Sequence, residues 1–158
     1  MMSLTLAVLI QASAAATAAD DYHAAKHRAE TTGQALVVLV GADWCPGCRT
    51  MKHNVIPQAK RQGLLKHVHY AHVNTDQQSD LAGRLMRGRS IPQLIMFRKT
   101  EKGWKRDQVI GAQSLDALER FLEPAKALAA RPASEPAPAQ TADAQPGAGV
   151  HKTSAGGN

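Results

Sequence analysis

The chain holds 2 cysteines, Cys45 and Cys48, inside the run Trp44-Cys45-Pro46-Gly47-Cys48. A disulfide across a two-residue spacer closes almost no loop and adds little stability, whereas structural frameworks close long loops with several pairs. Chemistry is the better reason for the pair. An apolar run from Ala35 to Val40 precedes it and a helical pattern follows, which sets Cys45 at the cap position of a helix. A helix start has unpaired N–H groups and partial positive charge, and both favour thiolate over thiol. Pro46 suits the first helical turn, where its missing N–H would have had no partner. Gly47 has no side chain to keep an approaching chain away, and Trp44 is expected to cover the site.

The elements that must position this pair alternate helix and strand from about residue 20 to 130, the pattern of an α/β sheet protein. Asp20 and Asp21 offer caps for a first helix that ends at Gly33, and Ala35 to Val40 reads as a fully buried strand. Arg49 to about Gly63 reads as helix, with Met51, Val55 and Ile56 on its apolar face and a kink or end at Pro57. A second strand covers Val68 to Asn74. Ser79 is placed as the cap of a helix over Asp80 to Arg87 that stops at Gly88. Ile91 to Phe97 reads as the next strand, and Trp104 to Ile110 as its hairpin partner across the polar Lys99 to Gly103 turn. Ser114 caps a last helix in which Leu115, Leu118, Phe121 and Leu122 recur at helical spacing. No internal repeat interrupts the order.

One ordered set of segments resembles the thioredoxin superfamily over about residues 20–126. It comprises a strand, Trp-Cys-x-x-Cys, a helix, Val73-Asn74-Thr75-Asp76 at the end of the second strand, Ile91-Pro92-Gln93 ahead of Leu94-Ile95-Met96-Phe97, and Val109-Ile110-Gly111 before a helix. The resemblance implies an α/β thioredoxin fold, a single domain with a central mixed sheet flanked by helices. It also implies that Pro92 is cis and lies against the disulfide, and that the Ile91 backbone pairs with an incoming peptide. Taken alone, Pro92 reads as an ordinary strand-entry proline. The activity implied is thiol–disulfide exchange with protein substrates, Cys45 attacking and Cys48 resolving. Cys45 and Cys48 are then the catalytic candidates and Trp44, Pro46, Gly47, Ile91 and Pro92 the substrate-binding ones, with no metal and no cofactor.

The sequence also departs from typical thioredoxins. Pro46-Gly47 reverses their Gly-Pro, and Pro57 comes later than their helix proline. Leu39 stands where they carry a buried Asp that helps move the second cysteine's proton; Asp43 could act in its place through water, or be a solvated loop residue. The stretch from Cys48 and Arg49 through Met51 to Val55 and Ile56 is similar to the thioredoxin-like modules of exported reductases. Strong oxidants are set apart by a highly stabilised reduced thiolate, and a His between the cysteines would favour oxidation. None is present, so the expected direction is that of a reductase or reducing relay.

Two rival functions use the same residues. Cys-x-x-Cys also begins many zinc sites, and a copper- or zinc-handling thioredoxin-like chaperone would draw on the 7 His of the chain. Such sites need further ligands, but there is no second Cys pair, and His67 and His69 share one strand face while His72 takes the other. The second rival is a redox-inactive interaction module; retention of both cysteines with Ile91-Pro92 argues for turnover.

At 158 residues, one core is expected. The net charge of +6 comes without clustered basic and stacking residues, so the partners expected are proteins with thiols or disulfides and an unidentified redox partner, not nucleic acid. The charge favours acidic partners, and a monomer is expected. Residues 1–19, with an apolar Leu4 to Ile10 and small residues through Ala19, read as a signal peptide cleaved after Ala18 or Ala19. No Lys or Arg precedes the apolar run, which leaves a cytosolic N-terminal helix as the alternative. The run is too short to span a bilayer, so no stable membrane anchor is expected and the location is periplasmic or secreted. Residues 131–158, rich in Ala, Pro and Gly, read as a disordered tail that cannot bury enough surface to offset its ordering entropy.

Overall fold

In the computed structural model, which describes residues 21–130, a strand with every residue buried runs through the middle of a four-stranded sheet. The expected signal peptide and tail lie outside the described residues. In chain order the elements are α1 (Tyr22–Thr32), β1 (Ala35–Gly41), α2 (Pro46–Thr50), a π-helical turn (Met51–Val55), α3 (Ile56–Arg61), β2 (Val68–Asn74), α4 (Ser79–Leu85), β3 (Gln93–Thr100), β4 (Gly103–Ile110) and α5 (Leu115–Ala129). The strand order is β2-β1-β3-β4. β1 pairs parallel with β2 and antiparallel with β3, and β3 pairs antiparallel with β4, so the sheet is mixed. The parallel β1–β2 pair requires a helical crossover, and the segment that supplies it begins at the cysteines.

Alternation along the strands divides the core into two layers. Val37, Leu39, Leu94 and Met96 face Met51, Ile56, Leu118 and Leu122, whereas Leu36, Val38, Val40, Ala71 and Ile95 face Ala25, Ala29, Ala82 and Leu85. Each fully buried Val, Leu or Ile contributes about 1.5–3 kcal/mol, enough for β1 to fix the sheet's centre without any polar contact. Asp21 caps α1 by accepting the Ala24 N–H at 2.9 Å, Gly33 ends it with φ 73°, and Ser114 caps α5 through the Ala117 N–H at 3.2 Å.

Several boundaries differ from the expectations, although the helix after β1 begins at Pro46 with Cys45 as its cap, as expected. Pro57 does not end it, because the turn before it is widened: the Ile56 N–H reaches back to Met51 O, and the slip carries the helix past a residue with no N–H to give. Ser79 is the first helical residue, not the cap; Gln78 takes that position, and its side chain instead accepts the Asn74 N–H at 3.3 Å. α4 stops at Leu85 and β3 starts at Gln93, two residues later than Ile91, since Pro92 has no N–H for the ladder.

The gap between α4 and β3 is held by one buried amide. Gln93 is 0% exposed, and its Nε2 donates to Arg87 O at 3.1 Å and Ser90 O at 2.8 Å. Its Oε1 accepts the Arg87 N–H at 3.2 Å and Gln108 Nε2 at 2.7 Å. Arg106 continues the chain of contacts, donating to Gln108 Oε1 at 2.6 Å and to Leu85 O. Residues 87–90 are thus tied to the start of β3 through a side chain.

At the end of β1, a methyl group on Gly41 would lie 2.9 Å from both Cβ and Sγ of Cys48, closer than real carbon atoms approach. Both Cys48 atoms are buried and short-tethered, so Gly41→Ala is expected to cost about 1–3 kcal/mol by overpacking. Gly83, inside α4, has nothing within 4 Å of the same position, and Gly83→Ala is expected to stabilise by about 1 kcal/mol through helix propensity. Thermal melts of the two variants should move in opposite directions; a common direction would contradict the packing. Gln93→Leu should cost about 1–3 kcal/mol by stranding its partners. It should also speed tryptic cleavage after Arg87 and Arg89 by roughly tenfold through local opening of the loop, and unchanged cleavage would show that the amide does not hold it.

Candidate active site

Cys45 closes the turn after β1, and Cys48 stands on the first turn of α2. The two are disulfide-bonded with 5.2 Å between Cα atoms, inside the range of about 4.4–6.8 Å that a disulfide bridges. Cys45 has the extended backbone of a helix cap, φ −81° and ψ 119°, and its carbonyl accepts the Arg49 N–H at 3.0 Å. The Cys48 N–H donates to the Cys45 sulfur at 3.2 Å, so this sulfur takes the place usually held by a Ser or Asp oxygen. Pro46 occupies the first helical position. Cys45 is the outer of the two, 6% exposed against 3% for Cys48.

The second wall comes from the chain before β3. Ile91 packs on Ala42, Cys45 and Cys48, and its carbonyl oxygen lies 3.9 Å from Cys45 Sγ. The Ile91–Pro92 bond is cis. A methyl group on Gly47 would sit 3.4 Å from both Pro92 Cδ and Ala112 Cβ, so the bare α-carbon of Gly47 is turned toward its own chain. Pro92 O accepts the Gly111 N–H at 2.8 Å, and the Gln113 N–H meets Met51 Sδ at 3.2 Å, which fastens the segment after β4 beneath the cysteine helix.

Trp44 is 66% exposed, so it is not a core residue. Its indole N–H donates to Asp76 Oδ2 at 3.0 Å, the Asp76 N–H donates to Asn74 Oδ1 at 2.9 Å, and Asn74 Nδ2 donates to Asp43 Oδ2 at 2.9 Å. This relay pins the turn between Ala42 and Cys45 to the end of β2. Trp44 also lines an open groove together with Met86, Arg89 and Ile91.

At the position of the family's buried acid, Leu39 is fully buried and packs with Met51 and Leu94. Asp43 is 58% exposed and bonds to Lys52 at 3.0 Å. The Lys52 ammonium holds its carboxyl below the usual carboxylate range, with His72 and the Asn74 amide adding to the effect. Asp43 is therefore a solvated, paired carboxylate. His69 is within 2.9 Å of Thr32 Oγ1, and burial, then Arg28, holds its imidazole below the usual range. His72 lines a different groove with Lys52 and Tyr70. Among the described residues no three His, Cys, Asp or Glu side chains gather as metal ligands.

All seven residues singled out from the sequence stand around the disulfide. Others of equal structural weight were not singled out for the site: Gly41, Asn74, Asp76, Gln93 and Ala112. The Asn74 to Asp76 run carried a signal in its position at a strand end, whereas Gly41 and Gln93 draw their importance from partners distant in sequence.

The model of the thioredoxin-like family matches residues 16–99, more than half of the chain. No curated protein matches the sequence. Among solved structures, chloroplastic thioredoxin z aligns at 17% identity and TM-score 0.54, covering 68% of this chain and 91% of its own. A thioredoxin from Thermus thermophilus aligns at 21% identity and TM-score 0.54, covering 70% and 85%, and that of Fasciola hepatica at 20% and 0.52, covering 68% and 96%. These likenesses concern the fold. With the family match and the sheet order in agreement, the chain belongs to the thioredoxin-like family.

Proposed function

We propose that the protein reduces disulfides in other proteins, outside the cytoplasm, by cycling the Cys45–Cys48 pair. The observation that carries this reading is the pairing of an outer sulfur, which receives the Cys48 N–H at 3.2 Å, with a resolving sulfur one turn away. In the reduced protein the Cys45 thiolate attacks one sulfur of a substrate disulfide, and the other substrate sulfur leaves as thiolate. The Cys48 thiol gives its proton to that leaving group and attacks Cys45 Sγ. The first substrate sulfur is then released as a thiolate and takes from water the proton that Cys45 had given up on ionising. Two electrons pass from the cysteine pair to the substrate, which ends as two thiols, while the protein ends in the disulfide described above.

The reducing direction is supported by the absence of a His between the cysteines, a residue that would give the reduced state the added stabilisation of a strong oxidant. Trp44, Ile91 and Pro92 border the disulfide and are read as the surface on which substrate lies, with Pro46 and Gly47 shaping its floor. Export is supported by the apolar run and small residues of positions 1–19.

The wild-type protein should reduce insulin with dithiothreitol as electron source, and Cys45→Ser should lose at least about a hundredfold, since no attacking sulfur remains. Cys48→Ser should accumulate mixed disulfides with cellular proteins on Cys45. A reduction potential nearer about −270 than about −120 mV is expected; a value at the oxidising end would reverse the direction. The protein recovered from outside the cytoplasm should begin at Ala19 or Asp20, and recovery of the intact N-terminus from the cytosol alone would remove the export reading.

A further inference from the structure

The groove beside the disulfide carries a charge that the redox chemistry leaves unused. From Leu81 to Thr100 the chain has no carboxylate side chain, while it carries Arg84, Arg87, Arg89, Arg98 and Lys99. Arg98 is neutralised by Asp107 at 2.9 Å. The side chains of Arg84, Arg87 and Arg89 are exposed and make no hydrogen bond or ion pair among the described residues. Arg87 also crowds Arg106, whose guanidinium is disfavoured first by burial and then by this neighbour.

The acids on the same side cancel this charge only in part. Asp43 is balanced by Lys52, whereas Asp76, which accepts the neutral Trp44 indole N–H and lies 3.3 Å from the Thr75 hydroxyl, and Asp80, exposed on the first turn of α4, stay charged. Three guanidinium groups thus stand against two carboxylates, and a positive excess remains. Arg89 lines the groove directly with Gly88, Met86, Trp44 and Ile91.

We infer that this surface selects substrates in which Asp or Glu lies two or three positions from the reactive cysteine. The inference rests on the oxidoreductase reading and adds a substrate class to it. A substrate sulfur joined to Cys45 lies beside Ile91, whose carbonyl is 3.9 Å from Cys45 Sγ. An extended chain advances about 3.3 Å per residue, so the second and third residues from that sulfur lie about 7–10 Å away, far enough to leave the cysteine pair and meet Arg89, which lines the groove with Ile91, and Arg87 two residues before it in the chain. Trp44, Met86 and Ile91 would cover the apolar part of such a segment, and unpaired guanidinium groups would meet its carboxylates. Single exposed ion pairs are weak, which is why the selection needs the group of arginines and acts mainly on association rate.

The test uses the reduced full chain and disulfide-linked homodimers of three short peptides that differ only at the second and third positions on each side of the cysteine: Asp, Ser or Lys. Each exchange rate is divided by that of 2-mercaptoethanol on the same peptide, which removes intrinsic differences in disulfide reactivity. The Asp peptide should exceed the Lys peptide by roughly tenfold at low salt, and the ratio should fall to within about threefold in 1 M salt, where the screening length is about 3 Å. The Arg87→Glu/Arg89→Glu double variant should invert the order while the Ser peptide stays within about twofold of wild type. Arg61→Glu/Arg120→Glu, an equal change in net charge on other helices, should keep the preference. Equal normalised rates in wild type, or a preference that survives the double reversal at Arg87 and Arg89, overturns the inference alone. Failure to exchange with any of the three peptides overturns the oxidoreductase reading, and the inference with it.

Discussion

The antiparallel register of β1 against β3 is the constraint from which the site follows. Val40 pairs with Gln93, so the chain leaving β1 and the chain entering β3 emerge side by side at the same end of the two central strands. Five residues beyond Val40 stands Cys45, and two residues before Gln93 stands Ile91; their 3.9 Å approach is a consequence of that pairing. A slip of one residue would turn Leu39 and Leu94 out of their layer and separate the sulfur from the carbonyl together. The cost of misplacing fully buried aliphatic residues in the two central strands is therefore what keeps the two walls of the site in place.

Polar contacts refine this placement at a few points. Gln93 is the pivot, since its backbone belongs to the ladder and its amide holds the loop that carries Ile91. The Trp44–Asp76–Asn74–Asp43 relay does the same for the opposite wall, joining the turn after β1 to the end of its parallel neighbour β2. Between them, Gly41 and Gly47 remove side chains where backbones and the disulfide come closest. The site is closely packed behind the cysteines and open in front, where the groove is lined by exposed Trp44 and Arg89. Such a division suits the proposed exchange, in which a second sulfur is held in place while a substrate segment approaches from the front.

How much of this was legible in the sequence depended on the range of the interactions involved. Asp21, Gly33, Cys45 and Ser114 act within three or four residues of themselves, and their roles as helix ends could be read directly. The aliphatic run of β1 was equally plain, because burial on both faces leaves no alternation to interpret. The π-helical turn was not legible: Pro57 announces a break, but whether a helix ends or widens depends on the packing of Met51 and Ile56 against α5. Gln93 reads as an ordinary polar residue at a strand start until its partners at Arg87, Ser90 and Gln108 are known. Ser79 looked like a cap because its type allows it, yet Gln78 took the position once its amide had a partner at Asn74.

The aliphatic side chain at position 39 bears on the chemistry more than on the fold. A carboxylate there would lose its hydration among Met51 and Leu94, a penalty of several kcal/mol that only strong pairing or protonation could offset. Leu39 replaces that penalty with favourable burial. The exposed Asp43 is not an equivalent group: pairing with Lys52 makes its carboxylate a weaker base, and the Asn74 amide holds its second oxygen. In the proposed reaction the proton of Cys48 then passes to the thiolate expelled from the substrate, the base that the first step itself creates. Resolution in the proposed reaction is in this way coupled to the presence of a leaving thiolate, the base that position 39 does not supply.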